Sequence, residues 1–283
     1  MPFGTPAPNY RLPAAAHVGR VKLQVADLSR SIEFYEGKLG FKRLGAAPGH
    51  ATLGVPDTPL IELTERKGAR PVAPRSRLGL FHFAILLPDR ASLGRAMLQL
   101  HQAGIDLGMA DHLVSEALYL SDPDGLGIEI YADRKRSDWR TAGEELLMAT
   151  DPLDTASLLK AAGGEPWGGM PKGTVIGHVH LHVGDLDAAR KFYHEALGLD
   201  ITMQSYPGAL FLSAGGYHHH LGVNVWAGKS AEPAKDDEAK LLEWELVVPG
   251  ADARKAALDS LRAAGFEGAA GVVADPWGTK VRL

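Results

Sequence analysis

The sequence predicts an α+β protein built from four similar modules in tandem, each a strand, a helix and further strands. Three observations carry this. The chain repeats itself: VKLQVADLSRSIEFYEGKLGF from Val21 returns as VHLHVGDLDAARKFYHEALGL from Val179, sharing Val25/Val183, Asp27/Asp185, Phe34/Phe192, Tyr35/Tyr193 and Gly40/Gly198. A second pair of phrases begins at Leu86 (LLPDRASLGRAMLQLHQAGI) and Val247 (VVPGADARKAALDSLRAAGF). Each phrase follows or contains an apolar alternation with the period of a strand buried on one face. A repeat of about 160 residues is too long for a solenoid unit and means a duplicated domain.

The opening strands are Val21/Leu23/Val25, Phe81 to Leu87, Val179/Leu181/Val183 and Leu242 to Val248. In the first helix Leu28, Ile32, Tyr35 and Leu39 form a single apolar stripe. Gly40, Gly104, Gly198 and Gly265 close the four helices, where a left-handed cap favours glycine. Further strands are expected at Thr58–Thr64, Ala117–Leu120, Gly127–Tyr131, Leu210–Ser213, Leu221–Trp226 and Thr279–Leu283. Proline-rich residues 1–16 read as an extended arm, 17–133 as a first domain and 175–283 as a second. Between them, 134–174 reads as a linker with one short helix N-capped by Asp154. The acidic Asp236–Glu238 stretch is expected to be a solvated connection.

Composition narrows the function. Thirty Lys+Arg against 34 Asp+Glu give a net charge of −4, with no basic cluster fit for nucleic acid. No cysteine is present, which excludes disulfides, thiolate ligands, iron–sulfur clusters and a cysteine nucleophile. No apolar run approaches the roughly 18 residues of a membrane span, and the N-terminus lacks a signal-peptide core, so a cytoplasmic location is expected. Gly163–Gly169 lacks the strand-to-helix context of a phosphate loop. The five tryptophans read as core or domain-seam aromatics. An unpaired sheet edge would suit a homo-oligomer.

The chemistry concentrates in Ala110–Tyr131, ADHLVSEALYLSDPDGLGIEIY. Asp122-Pro123-Asp124-Gly125 is a turn by mechanism, joining a strand with Tyr119 to one with Glu129. Glu129 lies between Ile128 and Ile130 and so faces away from the side they bury. His82 and Glu62 have similar mid-strand settings. The strand pattern leaves each open as a ligand or as a solvated or hydrogen-bonded strand residue. One imidazole with two carboxylates would suit Fe(II), Mn(II), Zn(II) or Ni(II).

These phrases resemble the vicinal oxygen chelate (glyoxalase/bleomycin resistance/extradiol dioxygenase) superfamily, and within it the two-domain catechol 2,3-dioxygenase type. The repeated DLxxxxxFYxxxLG carries the broad resemblance over nearly the whole chain. His112, Leu118-Tyr119, Asp122-Pro123-Asp124-Gly125 and Glu129 carry the narrower one, with Ala110 as the departure from the extradiol signature. The resemblance implies βαβββ modules paired into two open cups, a divalent metal, most often Fe(II), and an aromatic catechol and O2 as partners. It implies His82 and Glu129 as ligands, Glu62 as the extra carboxylate of glyoxalase-like members, and His112 and Tyr119 as acid/base and hydrogen-bond donor, all in an N-terminal cup. Its first-strand ligand position holds Arg20, which cannot coordinate a metal. The corresponding position in the second half holds His178, which with His180, His220 and Glu243 makes a second candidate cluster. Three readings follow: a ring-cleaving dioxygenase, a glyoxalase-like lyase or isomerase, and a metal-free protein that binds a small aromatic ligand.

Overall fold

The computed structural model describes residues 3–283 and contains the four modules in order. Module 1 is β1 (His17–Val25), α1 (Leu28–Ile32, continued in wider turns over Glu33–Lys38), β2 (Lys42–Ala47), β3 (His50–Val55) and β4 (Thr58–Glu65). Module 2 is β5 (Arg77–Leu86), α2 (Arg90–Gln102), β6 (Gly108–Asp111), β7 (Ser115–Ser121) and β8 (Gly127–Asp133). A hairpin, β9 (Thr141–Ala142) and β10 (Glu145–Leu146), and α3 (Thr155–Ala162) follow. Module 3 is β11 (Val175–His182), α4 (Leu186–Ala189, continued over Arg190–Ala196), β12 (Asp200–Met203), β13 (Ala209–Ser213) and β14 (Leu221–Asn224). After β15 (Glu232–Pro233), which pairs with β5, module 4 is β16 (Lys240–Val247), α5 (Ala251–Ala263), β17 (Gly268–Ala269), β18 (Val272–Ala274) and β19 (Lys280–Arg282).

Local chemistry sets the helix limits. The side chains of Asp27, Asp89, Asp154 and Asp185 accept the first free N–H groups of α1 to α4. Gly40, Gly104, Gly198 and Gly265 all stand at positive φ where the four module helices stop. Among the described residues, no helix is long and apolar enough to cross a membrane.

The modules pair across the two halves. One sheet runs β17-β18-β19-β16-β1-β4-β3-β2, joining modules 4 and 1; the other runs β12-β13-β14-β11-β5-β8-β7-β6, joining modules 3 and 2. The expectation that 17–133 and 175–283 would each form its own cup is therefore corrected. There is an inner cup from modules 2 and 3 and an outer cup from modules 1 and 4. Charge matching gives the physical reason. Antiparallel β1 and β16 bring Arg20 to Glu245, while antiparallel β5 and β11 set His82 opposite His180. Pairing β1 with β5 would take Arg20 away from Glu245 and put it in the place of His178 beside Glu129, breaking up both matched sets.

The halves remain tied by a repeated contact. The Tyr35 hydroxyl donates to Asp122 (3.2 Å) and the Tyr193 hydroxyl to Asp275 (2.8 Å), so each odd module's helix holds the next module's turn. Asp122 also accepts the N–H groups of Asp124 and Leu126, and Asp275 those of Trp277 and Thr279. The Asp122–Gly125 turn is thus an architectural joint, and one apolar core runs through all four modules.

Two connections differ from expectation. The arm, whose Met1 and Pro2 lie outside the described residues, straps module 3: Thr5 bridges Ile201, and Arg11 pairs with Asp200 at 2.9 Å. Glu238 is not solvated but buried, gripped by both nitrogens of the Arg77 fork at 2.8 Å. That grip holds its pKa at about 2.

Candidate metal centre and its cavity

Three adjacent inner strands present their chemistry on one face. Across β11, β5 and β8 the register reads His178, Ala84, Glu129, with His82 two residues along β5 from Ala84. Alternation puts His82 and Ala84 on the same face, and the small Ala84 leaves the space between the imidazole and the carboxylate open. The donor atoms of His82, Glu129 and His178 all lie within 4.8 Å of one another. All three residues are buried.

His178 Nε2 donates to Glu129 Oε2 at 3.1 Å. His82 Nε2 comes within 3.0 Å of the same oxygen but at an angle that makes no hydrogen bond, and its Nδ1 also has no partner among the described residues. Burial pushes the His178 imidazole down to about 4 against the pull of Glu129, so it is neutral near pH 7. Burial opposes the charge on Glu129, but His178 and His82 outweigh it and hold that pKa well below the usual carboxylate range. A buried carboxylate with two imidazoles converging on it, one of them lacking a hydrogen bond, is a donor set for a divalent transition metal.

The centre opens into a cavity of about 570 Å³, within the usual range of roughly 300–1,000 Å³ for small-molecule sites. Phe81, Phe211, Trp226 and Met148 give it apolar walls. His112 and Tyr119 line the same cavity. His112 Nδ1 donates to the Ala149 carbonyl (2.6 Å), which leaves Nε2 to accept from the Tyr119 hydroxyl (2.6 Å). Burial and the nearby Glu129 push the Tyr119 phenol well above its ordinary value, so it stays a donor. Ala149 belongs to the 134–174 connection, which is therefore cavity wall as well as linker. Trp226, read from sequence as a packing residue, also lines the cavity.

The structure separates other predicted residues from this centre. Glu62 sits in the outer sheet, paired with Arg20 at 2.6 Å and apart from the His82, Glu129 and His178 triad. Glu243 lies in the same sheet, held by Arg282 at 2.5 and 2.9 Å. The proposed His178, His180, His220 and Glu243 cluster does not exist as a unit. His178 joins the inner triad, and His180 lines the cavity beside His82 with ring centroids 5.0 Å apart. His220 instead accepts the Ala214 N–H, and burial pushes it down to about 3.

Sequence reasoning missed His219. His218 Nε2 donates to Asp133 (2.9 Å) and its Nδ1 shares a hydrogen bond with His219 Nδ1 (2.7 Å), which leaves His219 Nε2 clear of that contact in a residue that lines the cavity. The run His218–His220 was visible; which of its rings faced a site was not. The inner counterpart of Glu62 is Gly222, because β1/β4 pairs Lys22 with Glu62 where β11/β14 pairs His180 with Gly222. A Cβ there would stand 2.9 Å from the His180 ring, so glycine makes room for that imidazole.

Comparison with known proteins agrees with this architecture. The family model for the Glyoxalase/Bleomycin resistance protein/Dioxygenase superfamily matches residues 16–130 and 175–282. The catechol-2,3-dioxygenase of Bacillus subtilis (strain 168) is 44% identical over 254 residues, spanning 88% of this chain and 89% of that protein. Two solved structures share the fold. A candidate dioxygenase from Bacillus subtilis subsp. subtilis str. 168 gives a TM-score of 0.62 at 13% identity, covering 96% of this chain and 85% of that one. Glyoxalase I from Zea mays gives 0.54 at 19% identity, covering 94% and 91%. With the family model on both halves and a 44% identical relative along most of its length, the chain belongs to the Glyoxalase/Bleomycin resistance protein/Dioxygenase superfamily.

Proposed function

We propose that the protein is an extradiol-type ring-cleaving dioxygenase that opens a catecholic aromatic in the inner cup, with Fe(II) held by His82, Glu129 and His178. The observation that carries this is the triad itself: two imidazoles and one carboxylate at the floor of an aromatic-walled cavity, with a glycine at the position of a fourth carboxylate. A metal held by these three residues would also engage the substrate diol and O2, whereas a glyoxalase-like site would add a fourth carboxylate, for which Gly222 offers no side chain. Mn(II) is the second choice on donor chemistry. The 44% identity to a catechol-2,3-dioxygenase supports the same reading.

Iron, when bound, supplies the electron exchange between the ring and O2. The chain's own residues do the rest. Phe81, Phe211 and Trp226 hold the ring and keep bulk water away. His219, neutral because burial pushes it well below its ordinary value, offers Nε2 to accept a hydroxyl proton. The His112–Tyr119 pair supplies a hydrogen bond at the opposite wall. Overall, the ring carbon–carbon bond beside the diol breaks and both oxygen atoms of O2 enter the product.

The test is oxygen uptake by protein reconstituted anaerobically with Fe(II) and supplied with catechol under labelled O2. One O2 consumed per ring, with both labelled atoms in a ring-opened aldehyde acid, is the expected result. No uptake with Fe(II) or Mn(II) would overturn the reading.

A further inference from the structure

The connection between modules 1 and 2 carries three arginines, and they are not alike. Arg70 is tied to Asp237 and Glu238, and Arg77 to Glu238, whereas Arg75 makes no ion pair or hydrogen bond among the described residues. Arg75 is also one of few non-glycine residues at positive φ, at 55°. It stands at the tip of a turn closed by Ser76, whose N–H and hydroxyl both reach the Ala73 carbonyl. Glycine is the favoured residue at such a position, because a Cβ there costs backbone energy. A long cationic side chain is kept where the backbone alone would favour none.

Its position gives that side chain a use. A second chamber of about 540 Å³ adjoins the first, and both are lined by Arg75, Phe81, His82 and Tyr119. Arg75 therefore stands at the junction of the two chambers, together with a residue of the metal triad. The first chamber's one carboxylate, Glu129, is committed to the imidazoles, and the second chamber's Asp106 does not pair with Arg75. A cavity of about 150 Å³ suffices for benzene, so the first chamber alone holds a ring with room for a substituent. What such a substituent meets at the junction is an unneutralised guanidinium.

We propose that Arg75 is a specificity-determining residue that pairs with an anionic substituent, a carboxylate in the first instance, on the aromatic substrate. This rests on the ring-cleaving reading and names the substrate class more narrowly. A planar guanidinium fork matches a carboxylate with two parallel hydrogen bonds. Arg75 is exposed, and an exposed guanidinium–carboxylate pair is worth roughly 0.2–1 kcal/mol, which corresponds to about 1.5- to 5-fold in affinity.

The test is calorimetric titration of the Fe(II)-loaded protein, without oxygen, with 3,4-dihydroxybenzoate and its neutral amide. Wild-type protein is expected to prefer the acid by about two- to fivefold. That ratio should fall to about one in Arg75→Gln and be largely kept in Arg75→Lys, with affinity for the amide changed less than that for the acid. An unaltered ratio in Arg75→Gln, or no preference in wild type, overturns the proposal. Oxygen uptake with unsubstituted catechol, measured in parallel, separates the two levels. Uptake without Arg75-dependent selectivity removes the anion subsite alone, whereas selectivity without uptake of any catechol leaves the subsite and removes the ring-cleaving reaction.

Discussion

The inner and outer cups are two versions of one scaffold, and they differ at the positions that matter for chemistry. Where the inner cup has His178, His82 and Glu129, the register of the repeat gives the outer cup Arg20, Glu243 and Arg282. The inner cup has Gly222 where the outer has Glu62. Both sets are internally matched. In the inner cup two imidazoles converge on one buried carboxylate; in the outer cup Arg20 bridges Glu62 and Glu245 while Arg282 clamps Glu243. Duplication thus allowed one cup to keep a donor set while the other filled the equivalent space with ion pairs. The guanidiniums do there, with their own charge, what a bound cation would do for carboxylates.

The largest expected effect separates the cups by activity. His82→Ala, Glu129→Ala and His178→Ala should each lower oxygen uptake with catechol by more than about 100-fold, the upper end of what outer-shell partners of a metal cost. Arg20→Ala and Glu243→Ala should stay within a few-fold of wild type. A similar loss from both sets would end the distinction.

A second prediction rebuilds the missing centre. The triple variant R20H/E243H/R282E gives the outer cup the inner cup's donors, and equilibrium dialysis against Zn(II) should then find a second equivalent per chain. Failure to gain one would mean that the backbone positions, and not the side chains alone, differ between the cups.

Metal removal sharpens the comparison through stability. A ligand at 100 times its dissociation constant stabilises the native state by about 2.7 kcal/mol, a shift of several degrees in Tm for a chain of this size. Thermal melts should show that shift on adding metal to wild type and Arg20→Ala, and none in His178→Ala.

The smallest effects lie in the outer cup's ion pairs and at the repeated joints. Arg282→Ala should cost no more than about 1 kcal/mol beyond packing, because its pair with Glu243 is partly solvated. Asp122 is pushed up to about 7 by burial from an ordinary 3.8, against its N–H donors. The native state therefore binds a proton there that the unfolded chain has released. The stability this contributes is complete below about pH 4 and is lost as pH rises through about 7. Denaturant melts of Asp122→Asn, which keeps the acceptor oxygen, should be flatter than wild type across that window. Burial raises Asp275 as well, so Asp275→Asn should flatten its profile in the same direction.

Much of this was legible in the sequence. The repeat and the strand and helix periods announced four modules, and the His112-to-Glu129 spacing pointed to the residues that surround the cavity. Module pairing was not legible, because a repeat states what the units are and not which edges meet. Read half by half, the sequence groups Glu62 with His82 and leaves His178 in a separate cluster. A signal was nevertheless present. The charged departures fall in modules 1 and 4 and the histidines in modules 2 and 3, so pairing like with like yields one complete triad and one complete set of ion pairs. His219 lay beyond such reasoning, since its role depends on which ring of a three-histidine run His218 turns toward Asp133.

The most direct test of a centre built across the halves is metal analysis of protein purified without oxygen and reconstituted with Fe(II). One equivalent per chain in wild type and Glu243→Ala, reduced to background in both His178→Ala and His82→Ala, is the predicted result. Full metal content in His178→Ala, or loss of metal in Glu243→Ala, would contradict it.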